Sequence, residues 1–197
     1  MSVLKRIYLA LLLVALILTG GCTSDKNSVS ADELIISEYY KSIDKMGIQA
    51  YISAVFPDRI AEFRLKYDYL KNGEGSITVL SPESVAGVKV SVLNGKTELK
   101  FDGATLETGE LSQNGISPLN ALPGLFNQWV SGIATQVDES KLGQTDALLI
   151  IHSAEASGQE IEYRTWFNKK NYNPVYAEIY ADGNRIIRCE YETVSTN

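Results

Sequence analysis

Strict alternation of apolar and polar side chains is the feature that most limits the folds open to this chain of 197 residues. Between residues 61 and 69, every odd position holds Ala, Phe, Leu or Tyr, and every even position holds Glu, Arg, Lys or Asp. Successive side chains of a β-strand point to opposite faces, so this period indicates a long strand with one dry and one wet face. The dry face has to be buried against another layer.

Similar patterns return along most of the chain and are separated by turn signals. Asn72-Gly73 and Asn94-Gly95 are typical of tight turns, and Asp182-Gly183-Asn184 is another turn sequence. The order of strands and turns predicts an antiparallel meander, in which each strand pairs with the one before it. The other predicted strands cover residues 75–80, 88–92, 99–101, 147–152, 161–167, 175–181 and 185–193, and residues 104–116 are a loop or a short edge strand.

Two segments have the helical period instead. Ser30-Ala31-Asp32-Glu33 has the spacing of a capping box, and apolar residues then follow at intervals near 3.6 as far as Met46. Gly47 is a stop signal, so we expect a helix over residues 31–46. Ser117-Pro118 has the composition of a second helix start, because proline is favoured at the first helical position. We expect this second helix near 118–135, and Pro123 can separate its first turn from the rest.

The second helix carries a stripe of apolar residues on one face. Two interpretations remain open, since the stripe either packs on the sheet as core or lines a hydrophobic cavity. Its bulky side chains favour the packed core. The stripe consists of Leu119, Leu122, Leu125, Phe126, Trp129 and Ile133.

These patterns together predict one domain over residues 31–197. A long one-sided sheet and two amphipathic helices need each other to bury their apolar faces. We therefore expect an α+β fold in which a curved antiparallel sheet of about 8–11 strands, a half-barrel, wraps two amphipathic helices.

The N-terminus has the composition of a targeting segment. Lys5 and Arg6 precede twelve apolar residues (7–18), a run too short for a membrane-spanning helix, which needs about 20 residues. Small residues then lead to Cys22, in an arrangement that resembles the bacterial lipobox. The resemblance implies a signal peptide at 1–21, lipidation of Cys22 and a polar tether at 22–30. It implies an extracytoplasmic protein that is anchored to a bacterial membrane, most simply the cell membrane.

The charge balance excludes one class of partner. The formal charge is −6, and loss of the two basic signal residues leaves 16 basic and 24 acidic residues, or −8. A chain without a basic surplus cannot neutralise phosphates, so we expect no nucleic-acid partner. Cys189 is the only cysteine after Cys22, and it is either an inert core thiol or half of an intermolecular disulfide.

The residues that usually carry enzyme chemistry are scarce. His152 is the only histidine, and no Gly-x-Ser-x-Gly or phosphate-loop motif is present. A zinc site needs three or four close ligands, and most carboxylates fall on the wet phase of their strands. We therefore expect no enzyme activity, no catalytic residue, no metal site and no cofactor.

Several motifs resemble those of a known superfamily. The second helix contains Leu125-Phe126-Asn127-Gln128-Trp129, and residues 172–180 read YNPVYAEIY before Asp182-Gly183-Asn184-Arg185. With the strand-then-proline pattern at 77–82 and Phe101-Asp102-Gly103, the chain is similar to the LolA/LolB lipoprotein carriers over most of residues 31–197. Within that superfamily it most resembles the GerS-type germination lipoproteins of spore-forming bacteria.

The resemblance implies one of two non-enzymatic functions. A GerS-type protein implies a protein-binding module, whose partner is a cell-wall amidase in spore germination or cortex modification. A LolA-type protein implies a carrier that holds lipoproteins or other acylated, hydrophobic ligands in the half-barrel. The partners expected from the sequence are thus a membrane through the lipid on Cys22, an extracytoplasmic protein and, in the second case, a hydrophobic ligand.

Overall fold

The computed structural model describes residues 30–71, 74–93, 96–101, 103–108, 116–156 and 158–197. In these ranges the chain forms two α-helices and eleven β-strands. The helices are α1 (Ala31–Ser42) and α2 (Ala121–Ser131). The strands are β1 (Lys45–Val55), β2 (Ile60–Leu70), β3 (Gly75–Ser81), β4 (Lys89–Leu93), β5 (Lys96–Phe101), β6 (Ala104–Thr108), β7 (Ala134–Leu142), β8 (Thr145–Ala156), β9 (Gln159–Asn168), β10 (Pro174–Ala181) and β11 (Asn184–Thr196).

All eleven strands of the described residues belong to one antiparallel sheet in the order β6-β5-β4-β3-β2-β1-β11-β10-β9-β8-β7. The sheet consists of two meanders, β1–β6 and β7–β11, which are joined where the first strand pairs with the last. The sheet is curved and unclosed, and it wraps both helices. The predicted α+β architecture is therefore confirmed.

The position of α2 follows from this topology. It lies between β6 and β7, which form the two opposite edges of the sheet, so the chain must cross the whole sheet between them. An amphipathic helix in this connection covers the dry face as it crosses. The same segment thus joins the two meanders and supplies the second layer of the core.

The core lies between the helices and the concave face of the sheet. On β1 every second residue is buried, and Ile48, Ala50 and Ile52 are at most 1% exposed. Strand β1 is paired on both sides, with β2 and β11, so its concave face forms the middle of the core. The alternating apolar residues of the sequence thus lie on the concave face of the strand and are buried there.

The first helix is shorter than the sequence predicted. It ends at Ser42, and Ile43 is its C-cap with extended backbone angles. Met46 and Gly47, expected as the last turn and the stop signal, are instead residues of β1 and pair with Tyr69 and Asp68. Met46 is buried because it faces the core from a strand, which the helical period could not distinguish.

The second helix also differs from its predicted bounds of 118–135. A separate 3-10 turn covers Pro118–Asn120, and its start is capped because the Asn120 side chain accepts a hydrogen bond from the backbone N–H of Ser117 (2.6 Å). The α-helix ends at Ser131, with Gly132 as its extended C-cap. Strand β7 begins at Ala134 and was not predicted, because an edge strand with both faces largely exposed shows no alternation.

Several sequence predictions lie outside the described residues. These are the signal peptide at 1–21, lipidation of Cys22, all of the tether except Ser30, and the Asn72-Gly73 and Asn94-Gly95 turns.

Strand β6 shows that part of residues 104–116 is an edge strand. Among the described residues, neither helix has the length and apolar character needed to span a membrane.

Candidate functional site: the concave face of the sheet

The concave face is filled around Trp129, which is 2% exposed. Its indole N–H donates a hydrogen bond to the Thr165 hydroxyl on β9 (3.0 Å). A buried indole N–H needs such a partner, and Thr165 is itself fully buried. Four aromatic rings surround the indole at centroid distances between 5.1 and 6.1 Å; they belong to Tyr40, Phe126, Phe167 and Tyr191.

Helix α1 is fixed to the same core through Tyr40. This side chain is 1% exposed, and its hydroxyl donates a hydrogen bond to the backbone carbonyl of Tyr172 (2.8 Å). Burial raises the pKa of Tyr40, with a smaller contribution from Tyr39. The phenol therefore stays neutral and serves as a structural donor.

Two polar contacts hold the helices together. The carboxylate of Glu33 accepts a hydrogen bond from the backbone N–H of Ala134 (2.8 Å), just after α2. The Ser37 hydroxyl donates to the backbone carbonyl of Val130 on α2 (3.2 Å). These contacts satisfy polar groups around the end of α2, where the helix alone leaves carbonyls unpaired.

The apolar stripe predicted on the second helix divides into three parts. Leu122, Leu125, Phe126 and Trp129 are at most 5% exposed and lie in the core, whereas Leu119 is half-buried beside it. Ile133 lies beyond the helix end and is 77% exposed, so it does not continue the stripe. Tyr40, Tyr67 and Phe167 also belong to this cluster and were not predicted for it, although their apolar phase on helix or strand could have indicated them.

An apolar cavity of about 150 Å³ remains beside this core. Pro123 of α2 lines one side of the cavity. The other side is lined by residues of β2, β3 and β4, namely Tyr67, Tyr69, Ile77 and Val90. Sites for drug-sized ligands usually measure about 300–1,000 Å³. The ring of Phe126 lies 4.4 Å from that of Tyr69, which limits how far the cavity extends toward the core.

The convex face carries a network of polar and aromatic residues. Glu178 is 7% exposed and accepts hydrogen bonds from Tyr176 (2.8 Å), Tyr180 (2.9 Å) and Arg185 (2.6 Å). Burial by itself raises the pKa of Glu178, but the hydrogen bonds from Arg185 and the two tyrosines outweigh it and hold the pKa below its usual range. The Arg164 guanidinium lies over the Tyr180 ring, 4.2 Å from its centroid.

The reactive side chains are isolated from one another. His152 is 3% exposed and burial lowers its pKa to about 4, so the imidazole is neutral at pH 7. Cys189 is an unpaired, fully buried thiol, and burial raises its pKa, which disfavours the reactive thiolate. Among the described residues, no group of three or more His, Cys, Asp or Glu side chains has the geometry to hold a metal ion.

Comparisons with known proteins bear on the fold. No family model matches the sequence, and no curated protein matches it. An uncharacterized conserved protein from Thermus thermophilus is similar in structure, with a TM-score of 0.52 and 9% identity, over 84% of this chain and 86% of that chain. At this identity the likeness establishes a shared fold and nothing about ligands.

Two further solved structures have lower scores. A putative outer membrane lipoprotein-sorting protein domain from Vibrio parahaemolyticus has a TM-score of 0.43 and 11% identity, over 83% of this chain and 92% of that chain. A LolA superfamily protein from Nitrosomonas europaea has a TM-score of 0.41 and 11% identity, over 84% of this chain and 93% of that chain. Structural similarity at TM-scores below 0.5 says nothing about the function of this chain.

Proposed function

We propose that this chain is an extracytoplasmic lipoprotein of LolA-like fold, anchored by Cys22, that works as a non-enzymatic protein-binding module. The observation that carries the proposal is the filled concave face. Trp129 lies at the centre of this face, is 2% exposed and donates a hydrogen bond to Thr165. The space that a carrier would offer to an acyl chain is therefore occupied by the protein's own side chains.

The membrane anchor in this proposal rests on the sequence. The basic residues Lys5 and Arg6, the apolar run and the small residues before Cys22 have the order of a lipoprotein signal. A lipid on Cys22 would place the folded part outside the cytoplasm and hold it at a membrane. Replacing Cys22 by Ala should move the protein out of the lipid-modified fraction, and labelled palmitate incorporation into the unmutated chain tests this directly.

The partner in this proposal is a protein that contacts the convex face. Trp166 and Tyr176 lie in ring contact there, at a centroid distance of 5.2 Å, and Arg164 lies over Tyr180. Trp, Tyr and Arg are the side chains that contribute most to binding energy at protein interfaces. The resemblance of the sequence to GerS-type lipoproteins makes a cell-wall amidase of spore germination or cortex modification the first partner to test.

The carrier function remains the second candidate because of the apolar cavity under Pro123. That cavity would have to enlarge several-fold before it could hold a complete acyl chain. This requirement is what separates the two functions experimentally.

A titration with a fluorescent fatty acid distinguishes them. A chain that begins at Thr23 contains every described residue and carries no lipid of its own. The binding-module function predicts no saturable binding of the probe, together with a stable complex with a purified amidase in size-exclusion chromatography. Stoichiometric binding that an unlabelled fatty acid displaces would make the carrier function the correct one.

A further inference from the structure

Three large aliphatic side chains are exposed on the two segments that meet where the start of α1 lies against the end of α2. Leu34 is 52% exposed, Ile35 46% and Ile133 77%. The hydrogen bond between the Glu33 carboxylate and the backbone N–H of Ala134 joins the residues next to Leu34 and Ile133. We call Leu34, Ile35 and Ile133 the apolar edge.

The exposure of these residues follows from the geometry of α1. Glu33, Ile36 and Tyr40 form the buried face of the helix. Successive helical residues are rotated by about 100°, so Leu34 and Ile35 turn away from that face. Surface positions of a helix normally carry polar residues, and no packing among the described residues explains two consecutive large aliphatic side chains there.

We propose that the apolar edge rests in the headgroup region of the bilayer that holds the lipid on Cys22. This inference depends on the lipid anchor of the proposed function. Seven residues lie between Cys22 and Ser30, and whatever their conformation the eight steps from one to the other span at most about 29 Å. Leu34 follows Ser30 by about one helical turn, so the anchor keeps this end of α1 close to the bilayer.

The lipid anchor explains how such a small apolar edge can contact the bilayer stably. Three aliphatic residues bury too little area to hold a soluble protein on a membrane. Once the lipid fixes the chain, contact of the edge with the bilayer becomes an intramolecular step at high effective concentration. The edge would then set the orientation of the domain rather than its attachment, and it would leave the convex face free for a partner.

Charge does not provide this contact. The chain without its signal segment carries a formal charge of −8. Nearby lysines are already paired: Lys41 contacts Glu38 (3.1 Å) and Lys169 contacts Glu139 (2.5 Å). We therefore expect the contact to be at least as strong on zwitterionic as on anionic bilayers, and to be insensitive to salt on zwitterionic ones.

Depth-dependent quenching in proteoliposomes tests the proposal with the full lipidated protein. Ile133→Cys places a labelling site on the edge, and Lys71→Cys is the control, since the Lys71 side chain is 54% exposed at the opposite end of the strands from Ile133. The buried Cys189 does not compete for the label. In phosphatidylcholine vesicles that contain a nitroxide-labelled lipid, an environment-sensitive probe at 133 should be quenched by about half, as for a side chain about 5–10 Å below the surface. The probe at 71 should be unaffected.

Each other outcome overturns the proposal in a recognisable way. Equal quenching at 133 and 71, or none at 133, in a protein whose lipid is verified by mass spectrometry means that the edge does not face the bilayer. A blue-shifted probe at 133 without quenching means that a second copy or another protein covers the edge. Absence of the lipid would instead refute the anchor of the proposed function, which flotation of the protein with the vesicles measures separately.

A double substitution provides the second measurement. Leu34→Ser with Ile133→Ser changes only exposed positions, so the fold should be retained, as far-UV circular dichroism can verify. The lipidated variant should stay in the membrane fraction, because the lipid alone holds it, but a probe placed at Ile35→Cys should lose its quenching. Unchanged quenching at this position would contradict the proposal.

Discussion

The part of the sheet that lies under the helices and the part that extends beyond them have the same sequence pattern but different burial. Strands β1, β8, β9, β10 and β11 contribute residues such as Ile48, Ile150 and Ile179 to the core, each at most 1% exposed. We call strands β4, β5 and β6 the wing. Among the described side chains of the wing, Val90 (4% exposed) and Ser91 (7% exposed) on β4 are buried but lie outside the core cluster, and Phe101 at the end of β5 is 43% exposed.

This difference separates two effects that the sequence combines. Alternation decides which face of a strand a residue occupies, but only a second layer decides whether that face is removed from water. Helix α2 crosses the sheet once and covers the middle. A dry face without cover contributes little to stability and leaves apolar surface for a ligand or partner.

The largest expected effect is at the centre of the covered part. Trp129→Ala should lower the free energy of unfolding by about 3–5 kcal/mol, the usual cost of truncating a buried aromatic residue. Urea denaturation measures it. The control is Trp166→Ala on the convex face, where the indole is only half-buried, and it should cost clearly less. Equal losses in the two variants would mean that the concave face is no better packed than the convex one.

A matched pair of isoleucines sharpens the boundary between the two parts. Ile179→Ala on β10 should cost about 2–5 kcal/mol, because its fully packed site leaves a cavity on truncation. Ile77→Ala on β3 should cost less, since Ile77 already borders the cavity under Pro123. Urea denaturation of both variants gives the comparison, and a larger loss for Ile77 would contradict it.

The pH dependence of stability provides a third test within the covered part. Burial lowers the pKa of His152 from 6.5 to about 4, so protonation favours the unfolded chain. The stability that the folded protein gains by keeping His152 neutral is present in full above about pH 6.5. As the pH falls toward 4, the free energy of unfolding should drop by about 2–3 kcal/mol. His152→Gln should flatten this part of the profile measured by urea denaturation. If both proteins lose stability in parallel between pH 6.5 and 5, the imidazole is not the cause.

The smallest effect is expected in the wing. Phe101→Ser should change the free energy of unfolding by less than about 0.5 kcal/mol, because the ring is exposed and surface substitutions rarely cost more. Thermal unfolding of the full chain is sensitive enough to detect it. A loss comparable to that of a core phenylalanine such as Phe167 would show that something covers the wing, and the contrast between the wing and the covered strands would no longer hold.

Much of the local structure could be predicted from the sequence. The capping box at Ser30 starts α1, where the Ser30 hydroxyl accepts a hydrogen bond from the Glu33 N–H (3.0 Å). The predictions of element bounds fail where a helical and a strand period overlap, or where the sequence has no period at all. Met46 fits a helical period and a strand period equally well, and β7 has no period because it is an exposed edge.

The candidate site could be predicted only in part. Leu122, Leu125, Phe126 and Trp129 share one helix face, so their common burial follows from local geometry. Ile133 had the same spacing, but Gly132 ends the helix before it and turns it to solvent. The partners of the stripe, Tyr40, Thr165 and Phe167, come from distant parts of the chain, and no local rule connects them to it.

Sequence alone was enough to predict the faces of most strands, the start of the first helix and the lack of a recognisable catalytic motif, since these depend on neighbours within a few residues. The pairing of β1 with β11, which joins the two meanders into one sheet, became visible only in the folded chain. The tertiary structure also decided that Trp129 fills the concave face instead of lining a cavity. Both outcomes depend on contacts between residues far apart in the chain, whose energies are set by packing in three dimensions and leave no periodic signal in the sequence.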